Sequence, residues 1–418
     1  MQQPPSLPLD YRPELFVNRE QARDRVVAKV SELRQGRQID RRTLVFRGPH
    51  GVGKTWLLQH LADAAIQPPD APHHVLGEYL AQGSPPSATS LFVHALYVDL
   101  RLFHNLALDD AIRQIVVGIQ QQCAGWSKLP TPSHANMSSR SDEWSTLLLQ
   151  TLDTLLATHV LLVLLDHVFE CPSAFYYELE DRLLAPLAVQ PRVVIVMAGR
   201  GQAPRSIAPE LRFYVDDDNL PSFTPTATAQ QLEQLANHNY VVTQSPAAVQ
   251  AASLGYPLGN LLLAGGGSMA SVASELLHGV PLDIRQDIEA VCILRSFEED
   301  RLGCMMNAYA AQASLSNDPP PDPARRLRLL IDTKLVGWNN ERGGYVVDEA
   351  VRPVLESYLK TDQPVLWQQL HCAAHHLYAD WVNRFPRRAA LWRAELEYHA
   401  ACLTQVGINP ETCQPPAN

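Results

Sequence analysis

The sequence predicts an α/β domain built on a doubly wound parallel sheet, followed by an all-α lid segment, a winged-helix unit and a short C-terminal helical extension. Three observations carry this. Gly48 to Thr55 read G-P-H-G-V-G-K-T, two glycines, a lysine and a hydroxyl at the spacing of a phosphate loop. Thr43–Phe46, Val160–Leu165 and Arg192–Ala198 are short β-branched and apolar runs of the kind buried on both faces of a parallel sheet, with helical patterns between them. After residue 222 the strand signal fades until N-N-E-R-G-G at 339–344, which, between Lys334–Trp338 and Tyr345–Val347, suits a β-hairpin.

Taken in order, residues 1–12 are a flexible, proline-rich lead, and residues 19–35 place Val26, Val27, Val30 and Leu33 at helical spacing. The first strand and the glycine loop follow, then a helix from Trp56 to Ala65. Proline pairs make 67–90 a long loop, Leu91–Asp99 is a strand and Leu108–Gln122 a helix; 127–142 is loop, and Trp144–Thr158 a helix. Residues 226–280 are short helices broken at Gly255-Tyr256-Pro257 and at Gly265–Gly267, and 283–312 hold two more. A basic helix, Ala324–Asp332, precedes the hairpin; Asp348 can cap a helix running to Lys360, and 364–405 are helical. The predicted domains are therefore 13–222 (nucleotide-binding), 223–282 (helical lid), 283–362 (winged helix) and 363–418 (helical segment and tail).

Bulk properties narrow the function. A net charge of −10 argues against non-specific coating of nucleic acid, though a local basic face is compatible with it. No apolar run approaches the roughly 18 residues needed to span a membrane, and the first residues lack a basic segment followed by an apolar one. Seven cysteines without paired spacing read as reduced thiols, which predicts a cytoplasmic protein.

The chemistry begins at the glycine loop. Curled backbone there presents N–H groups to anionic oxygens, Lys54 reaches the terminal phosphates, and the Thr55 hydroxyl sits on Mg²⁺. Strand, loop and helix N-terminus together form an anion site. Asp166 ends its strand where a phosphate-loop enzyme needs a carboxylate, holding Mg²⁺ through water beside Thr55. His167 stands where a carboxylate usually polarises the attacking water; Glu170 is the alternative base, and the substitution predicts slow hydrolysis. Arg200 follows a strand expected beside the phosphate-loop strand, where a guanidinium can sense the γ-phosphate. Pro257 opens an apolar helix, a position that proline also takes for structural reasons. His371, Cys372, His375 and His376 have ligand-capable i,i+4 spacing, but no second cluster completes a metal site, so they are assigned to packing and surface. Arg325, Arg326 and Arg328 precede the hairpin and are candidates for DNA contact, not favoured because acidic residues surround them.

Together these motifs resemble the STAND class of signal-transduction P-loop NTPases, which includes the NB-ARC modules of apoptosome and plant disease-resistance proteins. The resemblance covers roughly residues 15–360. L-F-V-N-R-E (Leu15–Glu20) is similar to the family's opening motif, which implies Phe16 and Val17 near the adenine and Asn18 and Arg19 near the nucleotide. Gly48, Pro49, His50, Gly51, Val52, Gly53, Lys54, Thr55 and Trp56 would wrap the phosphates. L-L-V-L-L-D-H-V-F-E resembles the second motif, V-V-I-V-M-A-G-R the sensor strand ending in Arg200, and G-Y-P-L-G the motif whose proline, here Pro257, packs on adenine. Y-V-V-D-E-A-V-R resembles the family's His-Asp motif, but Val347 replaces the histidine that would contact ADP.

The resemblance implies an α/β P-loop NTPase domain and an ATP/ADP switch with Mg²⁺ and slow ATP hydrolysis. Nucleotide exchange would open the domains, the ATP state would self-associate, and an effector or sensor partner would act in trans. The alternative is an AAA+ or origin-recognition-like ATPase, which also joins a P-loop domain to a winged helix that contacts DNA.

Overall fold

The computed structural model describes residues 10–66, 92–103, 106–107, 110–115, 117, 146, 149–150, 152–153, 156–157, 159–201, 206–313 and 322–413. Contacts divide the described residues into two compact units, 10–48 with 53–221, and 222–413 with 49–52.

In the first unit, five parallel strands stand in the order β2-β3-β4-β1-β5, with β1 Thr43–Arg47, β2 Phe92–Asp99, β3 His159–Asp166, β4 Val193–Gly199 and β5 Val215–Asn219. Alternation of side chains along a strand explains how the sheet is covered. Val45, Leu161, Val163, Leu165, Val193, Ile195 and Met197 share one buried cluster with Phe175, Leu179 and Leu183 of α3 (Ser173–Leu179) and the turns after it. The intervening residues Leu44, Phe46, Leu162, Leu164, Val194 and Val196 are equally buried. Helices α1 (Glu20–Arg34) and α2 (Lys54–Ile66) lie against β3 and β4 yet add nothing to the first cluster, so they cover the opposite face. The sheet is doubly wound, as the continuous apolar runs of β3 and β4 predict.

The strand β5 departs from expectation: V-D-D-D-N has no apolar alternation, and the sequence reading has no strand there. Its partners supply the reason. Arg25 of α1 pairs with Asp216 at 2.7 Å and with Asp218, and Arg47 of β1 pairs with Asp217 at 2.6 Å. An edge strand with charged side chains also resists pairing with another chain. A further short helix, α4 (Pro209–Tyr214), precedes it. The predicted loops at 67–90 and 127–142 and most of the predicted helix Leu108–Gln122 lie outside the described residues; positions 110–115 are helical.

The second unit starts with four short helices, α5 (Pro225–Asn237), α6 (Pro246–Ser253), α7 (Pro257–Ala264) and α8 (Met269–Leu276). Proline occupies the first turn of α5, α6 and α7, where its missing N–H is unused anyway, and Thr224 and Ser245 cap the first two. Helices α9 (Leu282–Val291), α10 (Glu299–Ala313) and α11 (Pro323–Asp332) lead to the antiparallel hairpin of β6 (Val336–Asn339) and β7 (Gly344–Val347). Phe297 and Tyr345 exchange two backbone hydrogen bonds of 2.8 Å, adding a third short edge to the wing. Helix α12 (Arg352–Asp362) completes the winged helix, and α13 (Pro364–Arg384) and α14 (Ala389–Gln405) form the extension. Asp348 acts slightly earlier than predicted: its carboxylate accepts from Ala350 N–H and its carbonyl from Val351 and Arg352 N–H, a turn that leads into α12.

The expectation of wholly reduced thiols is corrected. Cys372 is bonded to Cys413, with Cα atoms 5.5 Å apart, whereas Cys171, Cys292, Cys304 and Cys402 are free. The α13–α14 turn returns the chain across 41 positions, a proximity that cysteine spacing does not reveal. Closing a loop of that length stabilises by about 3–4 kcal/mol in the chain-entropy description. Thermal unfolding should therefore shift to lower temperature in thiol reductant, and Cys413→Ser without reductant should reproduce that shift; coincident curves would show that the bridge contributes nothing.

Candidate nucleotide site

Three strand ends converge. Arg47 lies in register with Gly199, and Leu165 with Met197, so β4 stands between the strand that feeds the glycine loop and the strand that ends in Asp166. The loop takes backbone angles that only glycine adopts without strain: φ is 80° at Gly51 and 100° at Gly53. Lys54 opens α2, is 6% exposed, and donates from Nζ to the Gly48 carbonyl at 2.8 Å. Thr55 follows, partly buried.

Asp166 is fully buried; its carboxylate accepts from the Tyr97 hydroxyl at 3.2 Å and from the His167 N–H at 2.9 Å. Burial, then the neighbouring Asp166 charge, raises the Tyr97 pKa above its ordinary value, so Tyr97 remains a donor. His167 has a left-handed backbone (φ 58°), and its Nδ1 lies 3.2 Å from Asp99 Oδ1 and 3.4 Å from Asp166 Oδ2. Asp99 was not foreseen. It ends β2 in register with Asp166, and Arg101 pairs with it at 2.7 Å. Burial opposes its ionisation, but His167 and Arg101 outweigh that and hold its pKa below the usual carboxylate range. The available signal was that two neighbouring hydrophobic strands both end in aspartate.

Glu170 lies on the short turn after His167, and its Oε1 is 3.9 Å from Arg200 Nε. The approach of this turn to β4 requires Gly199, because a Cβ there would lie 2.5 Å from the Phe169 ring. The structure thus gathers Asp99, Asp166 and His167 in one group and Glu170 with Arg200 in a second.

The opening motif folds as a bend. Asn18 and Arg19 have φ of 60° and 76°, and the Asn18 side chain accepts from Arg19 N–H at 2.8 Å. Arg19 is 5% exposed and donates to the Pro221 carbonyl at 2.7 Å; burial lowers its pKa to about 10. Phe16 stacks on His60 with ring centres 4.0 Å apart, and Trp56 meets Tyr11 edge-on at 5.8 Å. Both aromatic rings therefore already have a protein partner on α2 or beside it. Val17 is half-buried next to them.

In the second unit Pro257 is buried, and its carbonyl accepts from Gln231 Nε2 at 3.2 Å. Asn260 joins that contact by donating to Gln231 Oε1 at 2.9 Å and to Thr228 at 3.1 Å. Residues 49–52 group with this unit, and there the Leu258 N–H donates to the Gly51 carbonyl at 3.2 Å.

The set fits a magnesium nucleotide on chemical grounds. The loop and the first turn of α2 supply N–H groups, a buried ammonium and a hydroxyl, and a fully buried carboxylate ends β3, one strand removed from β1. Lys54 is itself informative, because a cation at a helix N-terminus opposes the helix dipole and is expected where an anion binds.

No family model matches the chain, and no curated protein matches it. Solved structures similar to it include the Aeropyrum pernix ORC1 protein in complex with DNA, at 17% identity and a TM-score of 0.42, covering 85% of this chain and 95% of that one. The Aeropyrum pernix ORC2 protein (ADPNP–ADP complexes) is similar at 13% identity and a TM-score of 0.43, covering 85% and 99%. The Thermotoga maritima RuvB Holliday junction branch migration motor is similar at 14% identity and a TM-score of 0.35, covering 82% and 95%. Likeness at this level carries no residue role across.

Proposed function

We propose that this chain is a magnesium-dependent ATP-binding ATPase of low turnover whose nucleotide state governs its interactions. The observation that carries the reading is the placing of the glycine loop, Asp166 and Arg200 at the same end of the neighbouring strands β1, β3 and β4. Thr55 and Asp166 would hold Mg²⁺, which when bound would offset charge on the phosphates. Lys54 would bind the terminal phosphates, and Arg200, oriented by Glu170, would sense the γ-phosphate. His167, set between Asp99 and Asp166, would accept a proton from the attacking water through its other ring nitrogen.

Of the two finer readings, an AAA+ or origin-recognition-like ATPase whose winged helix contacts DNA is favoured. Val347 supports it against the STAND switch: the side chain standing where that family's histidine would contact ADP is apolar and 1% exposed. Arg325 and Arg328 are exposed on α11, beside a wing that carries the exposed Trp338. Arg326 is excluded from this role, because it pairs with Asp283 and Asp287 of α9. The domain limits at 222/223, 282/283 and 362/363 are proposed with this reading, as is self-association in the ATP state.

The test is binding of a labelled DNA duplex at several salt concentrations, with ATP or ADP present. Replacing Arg325 and Arg328 by alanine should flatten the salt dependence by about 0.9 per lost phosphate contact. If no salt-dependent binding is found, and light scattering instead gives a larger mass with ATP than with ADP, the signalling switch replaces this reading. One unchanged mass, with no DNA binding under either nucleotide, sinks both.

A further inference from the structure

Helices α12, α13 and α14 bring together three side chains far apart in sequence: Glu356, His371 and Cys402, whose ligand atoms all lie within 4.8 Å of one another. We propose that these three residues bind one zinc-class divalent ion through the Glu356 carboxylate, His371 Nε2 and Cys402 Sγ.

The buried histidine carries the argument. His371 is completely buried, its Nε2 makes no hydrogen bond, and that nitrogen faces Glu356 Oε1 at 3.7 Å. A buried imidazole nitrogen without a partner is costly, and a cation at this position removes the deficit. The other nitrogen, Nδ1, lies 3.0 Å from Nδ1 of His399, which is also fully buried. Two imidazole nitrogens at that distance share one proton. With the proton on His371 Nδ1 and His399 accepting, His371 Nε2 is left as a lone pair aimed at the cluster. This is the outer hydrogen bond that orients a metal-bound histidine.

The second ligand is positioned as firmly. Glu356 accepts from Tyr398 Oη at 3.2 Å and pairs with Arg352 at 3.1 Å, which fixes its carboxylate plane. Cys402 is a free, half-buried thiol, so a water molecule can reach a fourth position from its side. Binding would replace the thiol proton, which leaves to solvent as the sulfur–metal bond forms. Two anionic ligands and one neutral one suit a 2+ ion, the Glu356 carboxylate being shared with Arg352. Nitrogen, oxygen and sulfur donors together select a zinc-like ion over magnesium or calcium. Tetrahedral bonds of about 2.0–2.3 Å put donors roughly 3–4 Å apart, so the ion would draw this group inward by about 1 Å.

The i,i+4 pairs on α13 do not form this site. Cys372 is consumed by its disulfide, and His376 Nε2 contacts the Cys413 carbonyl at 2.9 Å.

Cobalt titration of the chelator-treated chain tests the proposal, without thiol reductant so that Cys372 and Cys413 stay paired. One equivalent should bind and produce a thiolate-to-cobalt charge-transfer band. Cys402→Ser, a near-isosteric change at a half-exposed position, should abolish that band. Cys402→Ser and His371→Gln should each lower affinity at least about 10-fold, and His375→Ala with His376→Ala should change neither. Circular dichroism of each variant separates lost binding from lost folding. Absence of a charge-transfer band in the wild-type chain, or its persistence in Cys402→Ser, overturns the proposal.

Discussion

Lys54→Ala is expected to raise the dissociation constant for magnesium ATP by roughly 100-fold while leaving the nucleotide-free chain at least as stable as before. Charge-assisted hydrogen bonds contribute about 1.5–3 kcal/mol each, and roughly 2.7 kcal/mol corresponds to 100-fold. The side chain is 6% exposed, and its ammonium is held by the Gly48 carbonyl at 2.8 Å. It also stands at the first position of α2, the positive end of that helix dipole. A phosphate group reverses that penalty, so the loss on mutation should fall on binding and not on folding. Calorimetric titration gives the affinity, and thermal unfolding without nucleotide gives the control. An unchanged ATP affinity would remove the basis for reading the glycine loop as a phosphate site.

Asp166→Asn should lower the rate of ATP hydrolysis by about 10²–10³ with only a modest loss in nucleotide affinity. That range is typical when one group that stabilises transition-state charge is removed from a dry site. The amide keeps the shape of the carboxylate and its contact with the Tyr97 hydroxyl at 3.2 Å, but it loses the charge that would hold Mg²⁺. Phosphate release under single-turnover conditions measures the step directly. His167→Ala is a useful companion, because a base acting through His167 predicts a rate loss without a change in magnesium dependence. If Asp166→Asn hydrolyses ATP at the wild-type rate, the ion is held elsewhere.

Local chemistry explains which parts were readable from the residues. The glycine loop has the spacing by which one short turn can offer N–H groups, a lysine and a hydroxyl to one ligand. The strands β1, β3 and β4 were visible because strands covered on both faces are continuously apolar. The acidic strand β5 has no apolar signal because it is held by backbone pairing with β1 and by ion pairs of its side chains with Arg25 and Arg47. The disulfide was hidden for a related reason: Cys372 and Cys413 meet only because two helices fold back on each other. The resemblance implies that Phe16 and Trp56 lie near the nucleotide; in the fold Phe16 stacks on His60 and Trp56 meets Tyr11 edge-on, contacts that the sequence does not reveal.

What the sequence determined by itself was local and periodic: the glycine loop, the buried strands, the apolar helix opened by Pro257 and the turn between β6 and β7. Tertiary structure alone decided that Asp99 stands beside Asp166, that Arg326 is committed to Asp283 and Asp287, and that Glu356, His371 and Cys402 converge. The physical reason is range. Backbone propensity and side-chain periodicity act over a few residues, while charge pairing and ligand geometry depend on distances through space between residues tens of positions apart.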